Sequence, residues 1–187
     1  MNQSSVLILP GWQNSGPQHW QSIWQEQNPA FRRVEQRDWL TPGREEWVNN
    51  ISAELQRTPA AVVVAHSLGC IAVAHWAQTP IAKSGMVKGA LLVAPADVDR
   101  TDAPYQIKDF APVPLRQLPF PSMVVASSDD WYISLQRAQA FAEAWGSQFF
   151  NIGKAGHINA DSGLGDWPEG KRLMRLLLEP VAIPPSH

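Results

Sequence analysis

The sequence predicts an α/β domain built on a mostly parallel sheet of about six strands, with helices on both faces. Two observations carry this expectation. Short apolar runs rich in β-branched residues alternate with helical patterns along the chain, which is the signature of βαβ units. The runs at 61–65 and 89–94 are almost wholly apolar instead of alternating, as strands covered on both faces must be. With 187 residues the chain can bury a core on each side of such a sheet. A single domain is expected over 1–187, with its core at about 6–178.

The first strand is the run at 6–9 (VLIL), and a weaker run at 31–36 supplies the second. Thr41 can then cap a helix, with Pro42 at its first position and Glu45 and Glu46 in its first turn. Trp47, Ile51 and Leu55 recur at intervals of four, which lays one face of that helix on the sheet. The third strand at 61–65 leads into a largely apolar helix at 68–78, ended by Pro80. After the fourth strand at 89–94, residues 97–121 carry Pro104, Pro112, Pro114, Pro119 and Pro121, too many for regular structure. This stretch is expected to cross one end of the sheet as an extended excursion. A fifth strand at 123–127, an Ala-rich helix at 135–145 and a sixth strand at 149–152 follow. The last helix, at 170–179, points Leu173, Leu176 and Leu177 inward. The tail at 180–187, with Pro184 and Pro185, is expected to fray.

Composition narrows the function. A formal net charge of −2 gives no cationic surface for a phosphate backbone, so no nucleic-acid partner is expected. No run approaches the roughly 20 apolar residues that span a membrane, and the run at 6–9 is too short for a signal peptide. The single cysteine, Cys70, cannot form an internal disulfide, in keeping with a cytoplasmic protein. Beside the elbow described next, it reads as a small buried hydrophobe. Gly11 and Gly16 do not make a dinucleotide-binding G-x-G-x-x-G, and no paired spacing such as H-E-x-x-H suggests a metal. No cofactor is expected.

The strongest chemical signal is Ala65-His66-Ser67-Leu68-Gly69, between a run of valines and a helical pattern. It matches the nucleophile elbow G-x-S-x-G, with Ala for the first Gly. Small residues are needed two positions either side because the strand reverses sharply into a helix, leaving the serine oxygen clear. A serine hydroxyl needs a base, and the base needs a group that fixes its tautomer. An acid and then a histidine should therefore follow later strands. Ser127-Ser128-Asp129-Asp130 follows the fifth strand and Gly156-His157 the sixth, both on the rim that carries Ser67. At this point either Asp129 or Asp130 can be the acid, the other holding the loop. The oxyanion of an acyl-transfer intermediate needs backbone donors. Leu68 offers one, and the Pro10-Gly11-Trp12 turn offers Trp12, with Gln13 as its neighbour. Trp12, Gln13, His66, Trp131 and Trp167 are candidate walls of a substrate pocket. His75 is expected to pack or be solvated on its helix, and His187 lies in the tail.

The chain resembles the small serine hydrolases that include YdeN-like bacterial proteins and the vertebrate retinoblastoma-binding protein 9 group. The likeness runs from Val6 to about Leu178. It rests on Leu9-Pro10-Gly11-Trp12, Ser15-Gly16-Pro17, His19-Trp20, the Ser67 elbow, Val93-Ala94-Pro95-Ala96, the Asp129-Asp130 pair and Gly156-His157. The resemblance implies a compact α/β-hydrolase without a large lid domain. It also implies a catalytic triad of Ser67, Asp130 and His157; the choice of Asp130 over Asp129 comes from the resemblance alone. Trp131 stands where the family often has Pro. His19 matches a family position near the active rim and is expected to support the first loop. The expected activity is an esterase-type cleavage of a small ester or thioester through an acyl-enzyme on Ser67. The rival readings are a protein-interaction module that keeps the fold, as the binding-protein name suggests, and an amide or peptide hydrolase using the same residues.

Overall fold

Each valine-rich run becomes a strand because it can place apolar side chains on both faces of one sheet. The computed structural model describes residues 5–179. Its strands are β1 (Val6–Leu9), β2 (Phe31–Arg33), β3 (Ala61–His66), β4 (Val87–Val93), β5 (Ser122–Ala126) and β6 (Gln148–Asn151). They pair in the order β2-β1-β3-β4-β5-β6, and every pairing is parallel. The helices are α1 (Trp20–Gln27), α2 (Arg44–Arg57), α3 (Leu68–Trp76), α4 (Leu135–Trp145) and α5 (Pro168–Leu178).

The period-2 alternation of strand side chains splits the core in two. Leu7, Leu9, Val63, Ala65, Ala90, Leu92 and Val124 face α2, α3 and α4, while Val6, Ile8, Val62, Val64, Leu91 and Val125 face α1 and α5. Trp47, Ile51 and Leu55 are the buried stripe of α2, as their spacing requires. After β2 the chain returns to the other side of β1, so the strand order reverses between β1 and β3. The crevice at the carboxyl ends of those two strands is where such sheets bind ligands.

Several boundaries differ from expectation for local reasons. α2 starts at Arg44, not after Thr41, because Asp38 Oδ1 accepts the N–H groups of Leu40 and Thr41 and holds that stretch as a turn. The helix is capped instead by Asp109, 65 residues away, which accepts the Arg44 N–H at 2.7 Å. β2 is half the expected length because, as an edge strand, it pairs only with β1. The excursion at 97–121 is not wholly irregular: Tyr105–Phe110 forms a 3-10 helix that buries Ile107 and Phe110 and places Asp109 at its cap. In α5, Leu173 and Leu177 are buried but Leu176 is 40% exposed, so the inward stripe is narrower than expected. The tail at 180–187 lies outside the described residues. Among the described residues, no helix is long and apolar enough to cross a membrane.

Candidate active site

Ser67 sits at the sharp turn between β3 and α3 with φ 53° and ψ −120°, a conformation that L-residues rarely adopt. The flanking small residues make it possible. A Cβ on Gly69 would come within 2.7 Å of the Pro10 carbonyl oxygen and closer still to that of Leu9. A Cβ on Gly11 would lie 2.8 Å from the Cβ of Ser67. Ala65 needs no such relief: its methyl is fully buried in the core facing α2 and α3, so Ala serves where the pattern has Gly.

Three distant segments meet at this elbow. The Nε2 of His157 lies 2.8 Å from Ser67 Oγ, and its Nδ1 lies 2.8 and 3.0 Å from the two oxygens of Asp130. The Asp130 side chain is wholly buried and also accepts the Tyr132 N–H at 2.8 Å. Asp129 turns the other way. Its Oδ1 accepts the Ser127 hydroxyl (2.7 Å) and the N–H groups of Gly156 (2.8 Å) and Ala155 (2.9 Å). Those donors, the Ser127 hydroxyl foremost, hold its carboxyl below the usual carboxylate range. The structure thus gives the two adjacent acids different partners: Asp130 the imidazole, Asp129 the loop that carries it.

That loop is fastened at further points. The Nε2–H of His66 donates to the His157 carbonyl at 2.9 Å, so the residue before the nucleophile grips the backbone of the histidine. Trp20 Nε1 donates to the Ile158 carbonyl (2.8 Å) and Trp24 Nε1 to that of Asp166 (2.7 Å). Tyr132, which the sequence analysis did not single out, lies against the His157 ring, tilted by 45° at 4.5 Å between centroids. Only its place directly after the acid pair and Trp131 could have suggested it.

The backbone donors follow from the turns. Leu68 is the first residue of α3, where an N–H has no intrahelical acceptor. In the β1 turn, Gln13 N–H donates to the Trp39 carbonyl and Asn14 N–H to that of Gly11. Gln13 is therefore not an alternative backbone donor.

A cleft of about 240 Å³ opens over Ser67, lined among others by Trp12, Gln13, His19, His66, Tyr132 and Asn159. It is smaller than the pockets that hold drug-sized ligands. The expectation that Trp167 walls it is not met: Trp167 is 3% exposed and packs against Trp20 and Trp24 in the core on the α1 side. Trp131 is 55% exposed and borders an adjoining hollow of about 170 Å³ that shares Ala96, Ile107 and Tyr132 with the cleft. A larger hollow of about 390 Å³ lies at the amino ends of β1 and β3, away from these groups. Chemistry, not size, selects the cleft at Ser67. Cys70 is buried, with its Sγ 3.4 Å from the Val93 carbonyl, and burial pushes its thiol up, so it stays protonated. His75 donates from Nε2 to the Phe110 carbonyl. Among the described residues, no cluster of His, Cys, Asp or Glu is arranged to hold a metal.

Comparison with known proteins gives the family and the fold. A family model described as serine hydrolase matches residues 6–176. A YdeN-like hydrolase of Pectobacterium atrosepticum shares 35% identity, covering 95% of this chain and 94% of its own, with a TM-score of 0.82. The ydeN gene product of B. subtilis is 17% identical over 94% of this chain and 98% of its own, with a TM-score of 0.73. N-formylmaleamic acid deformylase of Pseudomonas putida is 14% identical over 92% of each chain, with a TM-score of 0.69. The last two likenesses are of fold. Comparison with curated proteins gives no match.

Proposed function

The chain belongs to the serine hydrolase family, and from that premise we propose that it is an esterase-type enzyme that cleaves a small ester or thioester through an acyl-enzyme on Ser67. The observation that carries this reading is the unbroken hydrogen-bonded line from buried Asp130 through His157 to the Ser67 hydroxyl. In this reading Ser67 Oγ attacks the substrate carbonyl carbon as its proton passes to His157 Nε2. Asp130 holds Nδ1–H and so fixes the tautomer that leaves Nε2 free to accept. The carbonyl oxygen becomes an oxyanion, met by the N–H groups of Trp12 and Leu68. His157 returns the proton to the departing alcohol or thiol as the carbon–oxygen or carbon–sulfur bond breaks. Water, deprotonated by the same nitrogen, then attacks the acyl-Ser67 ester and releases the acid. The small cleft favours a short substrate.

A fluorophosphonate probe tests this directly, because it reacts only with an activated serine. Covalent labelling of the wild type that is lost in Ser67→Ala, together with turnover of p-nitrophenyl acetate, is the expected result. A folded wild-type protein that takes no label and turns over no ester would overturn the reading and favour a binding role for the fold.

A further inference from the structure

The hollow beside the cleft, bordered by Trp131, has fixed walls. Arg100 Nη1–H donates to the Trp131 carbonyl (2.6 Å), while its Nε–H and Nη2–H donate to the two oxygens of Asp102 (2.9 and 2.6 Å). Lys108 Nζ–H donates in turn to the Arg100 carbonyl. The Trp131 ring rests on the loop that carries the imidazole: a Cβ on Gly156 would lie 3.2 Å from its Cζ3. Trp131 is thus held by backbone and ring alike, yet it is 55% exposed. A large aromatic side chain that is both fixed and open to solvent gives up little entropy when something packs on it.

The hollow and the cleft over Ser67 are neighbours on one surface. Both open to solvent, and Ala96, Ile107 and Tyr132 line both. Ala96 carries a single methyl, so the two spaces meet within the breadth of one small residue. A substrate whose carbonyl lies at Ser67 can therefore continue into the hollow along the surface. What it meets there is apolar and aromatic: Ala103, Pro104, Trp131 and Tyr132. The charged groups at the border are already paired, Arg100 with Asp102 and Asp97 with Arg137 (3.4 Å). Among the described residues, the hollow thus offers an ionic group no free partner. A neutral ring, packed against indole and phenol, suits it better. Its volume of about 170 Å³ is on the scale of a cavity that takes up one benzene, roughly 150 Å³.

Resting on the hydrolase reading above, we propose that this hollow is a second substrate subsite, with Trp131 as its specificity-determining residue, and that it takes a neutral aromatic ring tethered to the ester by a short chain. The substrate class is arylalkyl esters or thioesters. The ring can belong to the acid or to the alcohol or thiol, and kinetics tell the two ends apart.

Ethyl acetate is the common reference for two series of esters, followed by acid release at constant pH. One series places the ring on the acid, in ethyl phenylacetate and ethyl 3-phenylpropionate; the other places it on the alcohol, in benzyl acetate and 2-phenylethyl acetate. Each kcat/KM is divided by the ester's own rate constant for hydroxide hydrolysis, which removes intrinsic reactivity. In the wild type at least one ester should exceed ethyl acetate by about tenfold or more, the scale of burying a phenyl group in a half-open site, and its series names the end of the substrate that enters the hollow. Trp131→Ala should bring that ratio toward one, and Trp131→Phe should recover part of it. Ala103→Leu, which fills the hollow, should also lower it. Because each ratio is taken within one variant, a general loss of activity cancels. The absence of a gain in both series overturns the proposal, as does a full gain retained in a Trp131→Ala protein that melts with the wild type. If Trp131→Ala does not fold, Ala103→Leu takes its place on the same terms. A wild type that takes a fluorophosphonate label but hydrolyses none of the five esters overturns this proposal alone. One that does neither is a different result: the hydrolase reading fails and this proposal falls with it.

Discussion

Asp129 and Asp130 are adjacent and chemically identical, yet their surroundings assign them opposite work. Asp130 is wholly buried against His157, and replacing it with Asn removes the acceptor that fixes the imidazole tautomer. Asp130→Asn is expected to lower kcat by about 10³–10⁴-fold, the scale of losing the orienting acid of such a triad. Asp129→Asn keeps an oxygen for some of its three donors and is expected to lose about tenfold or less, through a looser loop. Steady-state kinetics on p-nitrophenyl acetate check both, and equal losses would mean that the roles are wrongly divided. The sequence could place an acid pair after the fifth strand but could not choose between its members, because the choice depends on which carboxylate meets the incoming 153–157 loop. Only the family resemblance pointed to Asp130. Tyr132 against the imidazole and the bond from His66 to the His157 carbonyl were illegible for the same reason: they are contacts across 25 residues or more, with no local pattern to announce them.

At the scale of elements, what was legible were the runs whose own composition decides their state. β1 is apolar throughout, β3, β4 and β5 nearly so, and all four were placed to within two residues. α1 was not singled out, because its signals are unusual: a histidine cap and a glutamine-rich body, with Trp20 and Trp24, four apart, as its only apolar stripe besides Ile23. Those two tryptophans tie α1 to the loop bearing His157. Trp20→Phe would leave the Ile158 carbonyl, in a fully buried residue, without its donor. A loss of about 1–3 kcal/mol in stability is expected, with kcat reduced about tenfold as the imidazole drifts; denaturant melts and kinetics measure the two. The elbow depends in the same way on α3 approaching β1. Gly69→Ala drives a methyl into the Leu9 and Pro10 carbonyls, which are backbone and cannot swing aside. It should cost about 2–3 kcal/mol, a fall in Tm of about 5–10 °C. Gly16→Ala, where an added Cβ meets nothing within 4 Å, serves as the control.

For the whole molecule, the fold class followed from alternation, and the gathering of the site on the carboxyl ends of the strands from the motifs that follow them, while the strand order did not. Pairing partners are fixed by how two layers of helices share one sheet, and single strands carry no record of that. The same double layering buries several histidines in neutral form, with a consequence for stability. Burial holds His66 well below the ordinary imidazole range and His19 at about 3, and shifts half-buried His75 the same way, less effectively because solvent reaches it. Above the unfolded value of about 6.5, folded and unfolded chains bind the same number of protons at these sites. As pH falls below it, the unfolded chain takes up protons that the folded protein refuses. Stability is therefore present above pH about 6.5 and is lost progressively toward the folded value, about 3 for His19. Asp38, Asp102 and Asp129, whose carboxyls are held low by hydrogen bonds, add losses of the same sign, but only near and below the carboxylate range of about 4. Between pH 7.5 and 5 the histidines govern. At pH 5 His19 alone should account for about 2 kcal/mol, or about 4–8 °C in Tm for a chain of this size. Calorimetric or circular-dichroism melts across that range should show a falling Tm in the wild type and a shallower fall in His19→Asn; a Tm that is flat from pH 7.5 to 5 would mean that these rings are not held neutral.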